Sequence, residues 1–227
     1  MLPHDRPLRW QTGRMTHEDI GRFFDRECCA AVEQRPIEGR DAGPLSRQLM
    51  AALEDAGYTS GTVLEIGSGD GSFSRELVRR GALAVSGLDL SAQSVGYASA
   101  RASAAGLAER LRYRVADAST EPLEAHDAVV SQKVFCCFPD PAGLLTNTLP
   151  VARSVYALAL PESRGLVGLI ARLAVWTANS WQWLRRDSFR SYIHDIGDID
   201  RRIRAAGFVR RASRRQRIWR VLAYSRT

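Results

Sequence analysis

The sequence predicts an α/β fold built on a doubly wound, Rossmann-like sheet of seven strands. Two observations support this fold class. Between positions 62 and 161, short apolar runs alternate with helical patterns, and that alternation is typical of parallel βαβ units with right-handed crossovers. After position 194, one helical pattern is followed by two adjoining strand patterns, which predicts an antiparallel hairpin that closes one edge of the sheet.

The predicted elements follow one another along the chain. Two helices precede the sheet, at 16–35 and 43–57, and the second ends at Gly57 because glycine favours a helix stop. The five parallel strands are expected at 62–66, 83–90, 111–117, 126–135 and 154–161. The remaining helices are expected at 72–81, 91–106, 140–152 and 195–207, and the hairpin strands at 208–217 and 218–227. We therefore expect an N-terminal arm and helical cap at 1–42 and one domain at 43–227.

Length, composition and cysteine placement indicate a single-domain cytoplasmic protein. The chain has 227 residues, of which 45% are hydrophobic, enough for one sizeable core. The N-terminal stretch lacks the apolar core of a signal peptide, and no apolar run reaches the roughly 20 residues needed to span a membrane. The cysteines form two adjacent pairs, Cys28-Cys29 and Cys136-Cys137, which match no zinc site and make poor disulfides. We expect a reducing compartment and no metal.

The basic charge is concentrated at the C-terminal end. The formal net charge is +7, and nine arginines lie at 201–220. This stretch could bind phosphate or nucleic acid, or it could be the solvated face of the last helix and strands. We favour the solvated face, since Lys133 is the only lysine and a polyanion binder usually carries both cations. The expected partner is a small molecule and not nucleic acid, with a homodimer left open.

The stretch 162–194 interrupts the alternation of strands and helices. It is apolar and tryptophan-rich, and Arg172 is its only charge between 165 and 184. Three interpretations are open: a helix on a membrane surface, a lid over an apolar substrate, or ordinary core. We favour a lid insertion at 162–194, because it follows the fifth strand at the edge where such sheets bind ligands. Trp176, Trp181 and Trp183 would then form part of the wall of the substrate pocket.

A glycine-rich loop follows the first strand, in the stretch VLEIGSGDG at 63–71. Gly67, Gly69 and Gly71 permit positive φ angles and close approach of a ligand to the backbone. A phosphate-binding loop requires a lysine after the glycines, and a dinucleotide loop requires wider glycine spacing, so neither motif matches. The acidic residues Glu65 and Asp70 favour a ligand with a positive centre. S-adenosylmethionine has such centres in its sulfonium and ammonium groups.

Further polar residues end the next strands of the predicted sheet. Asp89 lies 22 residues after Gly67, where a carboxylate can accept hydrogen bonds from both ribose hydroxyls. Asp117 ends the third strand and can accept a hydrogen bond from an adenine amino group. The end of the fourth strand, near Ser131, would border the methionine portion and the transfer site. Four strand-end features in order indicate S-adenosylmethionine more strongly than the glycine loop alone.

These motifs resemble those of the class I S-adenosylmethionine-dependent methyltransferases, over about 45–227. VLEIGSGDG is similar to their first motif, GLDL to the second, VADA to the third and DAVVSQKV to the fourth. The resemblance implies that Glu65 supports the amino group of the cofactor and that Asp89 holds its ribose. The other residues that it implies at the cofactor are Gly67, Ser68, Gly69, Gly71, Leu90, Asp117, Ala118, Ser131 and Gln132.

A narrower resemblance concerns the magnesium-protoporphyrin O-methyltransferases. It rests on CCFPD at 136–140 and FRSYIH at 189–194. Cys137 stands where that family has a histidine, so the porphyrin chemistry is not transferred to this chain.

Methyl transfer requires in-line alignment and exclusion of water, and an O or N acceptor can require a base. His194 is the first choice for that base, ahead of His126 and His17. Cys137 and Lys133 are further catalytic candidates, Lys133 as a group that orients an acidic substrate. The residues expected in the substrate pocket besides the tryptophans are Phe24, Cys136, Cys137 and Tyr192.

The leading hypothesis is a methyltransferase acting on a small, largely apolar or aromatic molecule, in specialised metabolism. An RNA methyltransferase that uses the arginine-rich tail is an alternative, although the N/D-P-P-Y/F segment of RNA base N-methylases is absent after the fourth strand. A cofactor-binding protein without transfer activity, and a cyclase on the same fold, are two further alternatives.

Overall fold

The computed structural model describes residues 15–32 and 43–227. Within them the seven strands are β1 Gly61–Ile66, β2 Ala82–Asp89, β3 Leu111–Val115, β4 His126–Gln132, β5 Ala152–Pro161, β6 Phe208–Gln216 and β7 Trp219–Arg226. The α-helices are α1 His17–Val32, α2 Pro44–Asp55, α3 Ser72–Arg79, α4 Ala92–Ala104, α5 Ala142–Thr148, α6 Gly165–Leu184 and α7 Ile196–Ala205. A short 3-10 helix occupies Phe135–Cys137.

The strands form one sheet in the order β3-β2-β1-β4-β5-β7-β6, and β7 runs antiparallel to both of its neighbours. The predicted α/β class with an antiparallel C-terminal hairpin is thereby confirmed. Val63, Leu64 and Ile66 of β1 are all buried, because helices cover both faces of a central parallel strand. The strand order reverses between β1 and β4, and in doubly wound sheets the ligand binds at the carboxyl ends beside such a reversal.

The fourth strand is shorter than the sequence predicts. The prediction of a strand over 126–135 is wrong beyond Gln132, because Lys133 adopts a left-handed backbone with a φ of 64°. That conformation costs a non-glycine residue about 1–2 kcal/mol. The N–H of Lys133 donates to the carbonyl of Ala159 at 3.0 Å, which holds the turn against the neighbouring strand. The chain therefore leaves the sheet at Lys133 and enters the 3-10 helix.

Helix α1 lies against the loop after β2 and the start of α4. The hydroxyl of Ser91 donates to Asp25 at 2.7 Å, and the N–H of Gln93 donates to the same carboxylate at 3.1 Å. A negative charge is favourable at this helix N-terminus, where amide groups lack helical partners. A Cβ on Gly21 would stand only 2.6 Å from the carbonyl oxygen of Leu90, so glycine permits this close approach. The rest of the predicted cap, at 1–14 and 33–42, lies outside the described residues.

Helix α6 lies outside the core along most of its length. Gly168 and Ala171 are its buried residues, and Val175 and Gln182 on the same side are half-buried. Eight large apolar side chains are 51–73% exposed, namely those of Leu166, Leu169, Ile170, Leu173, Trp176, Trp181, Trp183 and Leu184. An ordinary amphipathic helix buries its large apolar face, so α6 has the reverse arrangement. In the described part of the chain, no helix combines the length and hydropathy needed to cross a bilayer.

Candidate active site

An apolar cavity of about 180 Å³ lies at the carboxyl ends of β1, β2 and β4. Its walls come from the glycine loop, from α1 and from the turn after β4. The residues that line it are Ile20, Phe24, Ile66, Gly67, Gly69, Leu88, Asp89, Leu90, Ser94, Ala116, Ala118, Gln132, Lys133, Val134, Cys137 and Phe138. The fold thus brings together six of the eleven residues that the sequence assigns to the cofactor. The other five, Glu65, Ser68, Gly71, Asp117 and Ser131, do not line this cavity.

The loop between β1 and α3 takes its shape from three glycines. Gly67, Gly69 and Gly71 have φ angles of 69°, 52° and 70°, which side chains other than glycine rarely adopt. A Cβ on Gly67 would stand 2.3 Å from Cγ2 of Val134, whereas a Cβ on Gly69 would meet nothing within 4 Å. Gly67 therefore allows the loop to pack on the turn after β4, and Gly69 presents bare backbone to the cavity.

Asp89 brings a carboxylate to the cavity wall, where two backbone amides hold it. The N–H of Gly69 donates to Oδ2 at 2.8 Å, and the N–H of Ser91 donates to Oδ1 at 2.9 Å. Burial raises the pKa of Asp89 in spite of these hydrogen bonds. Each carboxylate oxygen keeps a further lone pair, so Asp89 can accept hydrogen bonds from a pair of neighbouring hydroxyls.

Glu65 lies behind the glycine loop. The residue is 3% exposed, and its carboxylate accepts a short hydrogen bond from the hydroxyl of Ser74. Burial raises the pKa of Glu65 to about 8, and the hydrogen bond from Ser74 offsets only part of that effect. In this structure Glu65 is therefore largely protonated at neutral pH and links β1 to α3.

The charge of Asp70 is compensated inside the protein. Its carboxylate pairs with the guanidinium of Arg101 on α4 at 2.5 Å and accepts the N–H of Ser72 at 3.1 Å. Burial alone would raise the pKa of Asp70, but the hydrogen bonds from Ser72 and the charge of Arg101 lower it overall. Asp70 thus joins the loop to α4. Because Arg101 neutralises its negative charge, Asp70 does not attract the positive centre of a ligand in the way that the sequence led us to expect.

Asp117 follows β3, and both of its carboxylate oxygens have partners. Oδ1 accepts the N–H of Ser119 at 2.9 Å and its hydroxyl at 2.6 Å, and Oδ2 makes a short hydrogen bond with Nδ1 of His17. The His17 ring also packs edge-on against Phe138, with centroids 4.9 Å apart. Helix α1 therefore closes over the end of the third strand, beside Ala118 in the cavity wall.

The segment 187–194 joins α1 as a roof over the turn after β4. Phe189 stacks on Phe23 of α1 with ring centroids 3.9 Å apart. The N–H of Tyr192 donates to the carbonyl of Cys136 at 2.7 Å. This backbone hydrogen bond between Tyr192 and Cys136 thus holds the roof in place, and neither residue lines the cavity.

The histidines proposed as bases have other contacts. Nε2 of His194 lies 2.9 Å from the carbonyl oxygens of both Phe135 and Phe138. Two acceptors require Nε2 to carry a proton, so His194 holds the 3-10 helix, and it does not line the cavity. His126 is buried at the start of β4, at the other end of the sheet, with Nε2 3.0 Å from the hydroxyl of Ser86.

Cys137 and Lys133 are the catalytic candidates that do line the cavity. The thiols of Cys136 and Cys137 lie 3.3 and 3.6 Å from the carbonyl oxygen of Lys133. The hydrogen bond with Cys136 and burial raise the pKa of Cys137, so Cys137 is a neutral thiol at neutral pH. The Lys133 ammonium lies 5.5 Å from the ring centre of Trp219, within the range of a cation–π contact.

The tryptophans of α6 lie away from the cavity. Trp176, Trp181 and Trp183 are 66%, 59% and 71% exposed, and none of them lines it. Phe24 of α1 occupies a place in the wall, as the sequence predicts for a pocket residue. An apolar helical pattern in a sequence does not reveal whether the large apolar side chains of the helix line a cavity or are exposed to solvent.

Sequence reasoning missed seven residues that line the cavity, namely Ile20, Ile66, Leu88, Ser94, Ala116, Val134 and Phe138. The hydroxyls of Ser94, Ser68 and Ser131 are buried without a hydrogen-bond partner among the described residues. Such orphaned groups are rare and often mark a place for an absent ligand or water. The sequence GLDLSAQS could have indicated Ser94 as a site residue, because this serine lies in the first turn of the helix that follows the second strand. In the described part of the chain, no group of three or more His, Cys, Asp or Glu could hold a metal ion.

Comparisons with known proteins agree with this geometry. Residues 63–154 match the family described as a methyltransferase domain. A sequence search of curated proteins gives no significant match.

Solved structures with the same fold include enzymes with different reactions. Magnesium protoporphyrin IX methyltransferase from Synechocystis PCC 6803, with bound SAH, is 19% identical with a TM-score of 0.69, over 92% of this chain and 98% of that chain. The [4+2]-cyclase SpnF is 16% identical with a TM-score of 0.71, over 93% and 96%. Geranyl diphosphate C-methyltransferase from Streptomyces coelicolor A3(2) is 14% identical with a TM-score of 0.66, over 93% and 97%. At these identities the likeness concerns the fold.

Proposed function

We propose that this chain is a class I S-adenosylmethionine-dependent methyltransferase that methylates a small, largely apolar or aromatic molecule in specialised metabolism. Two findings support the reaction class: residues 63–154 match a methyltransferase domain, and the fold is shared with a solved methyltransferase. The observation that carries this proposal is the apolar lining that shares one cavity with Asp89 and the glycine loop. Ile20, Phe24, Val134 and Phe138 face the same cavity as Asp89. A polar cofactor side and an apolar acceptor side would thus share one site.

The cofactor would lie on the side of the glycine loop. Asp89 would accept the ribose hydroxyls, and Gly69 would let the ligand approach the backbone. The orphaned hydroxyl of Ser94, a residue that lines the cavity, would gain a partner from a ligand with several polar groups, which supports the fit. When bound, S-adenosylmethionine supplies an electrophilic methyl group on its sulfonium. The implied role of Glu65 at the amino group of the cofactor stays a prediction, since Glu65 lies behind the loop.

The acceptor would lie under the roof formed by α1 and the segment 187–194. The cavity of about 180 Å³ is smaller than the roughly 300–1,000 Å³ of typical small-molecule sites. The roof would therefore move outward to admit cofactor and acceptor together, and closure would exclude water and align the acceptor. Lys133, which lines the cavity, would orient an acceptor that carries an acidic substituent.

The charge distribution supports a small molecule over RNA. Six of the nine arginines at 201–220 form ion pairs with carboxylates of the fold, namely Arg201, Arg202, Arg204, Arg210, Arg214 and Arg220. These pairs reduce the positive potential available to a phosphate backbone.

The decisive experiment measures S-adenosylhomocysteine formation from S-adenosylmethionine and pools of small aromatic and terpenoid acceptors. We expect product with an apolar pool and none with folded RNA. Phe24→Ala should raise the KM of the accepted compound while the Kd of S-adenosylmethionine stays within about twofold, because this change removes apolar contact on the acceptor side only. Transfer to RNA alone, or no transfer to any pool, would exclude the proposed substrate class.

A cyclase is the second candidate function. The described residues that line the cavity include no histidine, and a pericyclic reaction needs no base. The fold is also shared with a [4+2]-cyclase. Consumption of a polyene substrate without release of S-adenosylhomocysteine would favour this candidate over methyl transfer.

A further inference from the structure

We propose that α6 docks the protein on an anionic phospholipid surface, with its large apolar side chains in the outer part of the bilayer and the arginines around them on the headgroups. This inference rests on the exposure and charge of α6 and its surroundings. It does not depend on the identity of the methyl acceptor.

The exposed apolar face of α6 is continuous and long. A helix of 20 residues extends for about 30 Å. Its body-facing side holds Gly168, Ala171 and Val175, while leucines, an isoleucine and three tryptophans are exposed on the other side. Contiguous exposed apolar patches of this kind mark an interaction surface. The same face could line the cavity only if α6 turned over.

The charge of α6 has one sign. The helix contains no aspartate or glutamate. Arg172 within it, and Arg185 and Arg186 just after it, are exposed and form no ion pair with a carboxylate of the described chain. Basic residues next to an apolar face attract anionic headgroups, at roughly 1 kcal/mol for each residue near the surface.

A cleft of about 450 Å³ continues this basic surface at the start of α6. Arg164 and Leu166 of the α6 side face Arg210, Arg215 and Arg220 of the hairpin across it. Glu162 pairs with Arg220 at 2.5 Å, and Arg164 and Arg210 also have carboxylate partners. Arg215 has no such partner among the described residues, so it is available to a phosphate beside the apolar end of the helix.

An anionic bilayer suits this surface better than a second copy of the chain. A symmetric dimer on the face of α6 would bring the arginines of two chains together, whereas anionic headgroups would neutralise them. Three of the eight exposed side chains are tryptophans, the residue type that concentrates at membrane–water interfaces. A helix that lies in the interface also agrees with the finding that α6 is not apolar enough to cross a membrane.

The test is co-sedimentation of the full chain with vesicles of phosphatidylcholine, or of phosphatidylcholine with phosphatidylglycerol, combined with tryptophan emission spectra. We expect binding and a blue shift with the anionic vesicles and neither with phosphatidylcholine. Leu173→Gln/Trp176→Gln should lower vesicle binding at least tenfold. Arg172→Gln/Arg215→Gln should weaken it about 30-fold at low salt.

The matched control is Arg79→Gln/Arg112→Gln, which removes the same charge from exposed positions near the opposite edge of the sheet. It should weaken binding by less than about threefold, and circular dichroism should show every variant folded. Failure of the unmodified chain to bind anionic vesicles at low salt, or equal binding by Leu173→Gln/Trp176→Gln, would overturn the proposal. A dimer in sedimentation velocity that this double variant dissociates, without vesicle binding, would assign the face to a second copy instead.

Discussion

The cavity at the carboxyl edge of the sheet and the helix α6 place their polar and apolar groups in opposite ways. Around the cavity, buried carboxylates have specific partners, such as the two amides on Asp89. On α6 the large apolar side chains are outside, and small residues such as Gly168 and Ala171 face the body. The first region is organised for a ligand inside the fold. The second is organised for a surface outside it.

The difference shows which functional features the neighbouring residues of a fold can determine by themselves. At the cavity, the φ angle of Gly69 and the hydrogen bond from its N–H to Asp89, at the end of the neighbouring strand, fix the geometry. On α6, local sequence fixes a helix and its apolar face, but not what that face meets.

Glu65→Gln should stabilise the protein at high pH and change little at low pH. The pKa of Glu65 is about 8 in the folded protein, against 4.5 for the ordinary side chain. Above pH 4.5 the unfolded chain releases this proton while the folded chain keeps it, so the stability due to the neutral form is lost as the pH rises through 8. The variant, always neutral, avoids that loss, which amounts to up to roughly 4 kcal/mol.

Denaturant unfolding at pH 5 and pH 9 measures this effect, with the exposed Glu54→Gln as the control. Equal pH dependence in the unmodified chain and in Glu65→Gln would show that Glu65 ionises normally. The site would then lack the buried neutral acid that distinguishes it from α6.

Gly67→Ala should destabilise the protein more than Gly69→Ala. Both changes place a side chain at a positive φ, which costs about 1–2 kcal/mol, but only the Cβ on Gly67 meets Val134, at 2.3 Å. Overpacking of that kind adds about 1–3 kcal/mol. Thermal unfolding of the two variants checks the order. A larger loss for Gly69→Ala would mean that the loop does not pack on the turn after β4 in this way.

Asp89→Ala should weaken S-adenosylmethionine binding by about 1–3 kcal/mol, through loss of charged hydrogen bonds to the ribose. Isothermal titration calorimetry measures this loss, and the exposed Glu109→Ala, at the far side of α4, is the control. Unchanged affinity in Asp89→Ala would remove the ribose assignment.

The sequence predicts the fold class and the strand-end residues because both depend on local patterns. Asp89 and the glycine loop lie where parallel strands end, and the strand order brings those ends together. The sequence does not predict that Asp117 meets His17, or that His194 donates to the carbonyls of Phe135 and Phe138, since these contacts join segments far apart in the chain. Tertiary contacts of that kind have no local pattern.

Substitution on α6 should have the smallest effect on the isolated protein. Leu173→Gln and Trp176→Gln, each at a side chain more than 60% exposed, should change the free energy of unfolding by no more than about 0.5 kcal/mol, as is usual for surface positions. Leu158→Ala in buried β5 is the control and should cost about 2–5 kcal/mol. Chemical denaturation at low protein concentration, without lipid, makes the comparison. A loss of more than about 1.5 kcal/mol at Trp176 would mean that the apolar face already has a partner in the isolated chain, and the contrast between the two regions would then disappear.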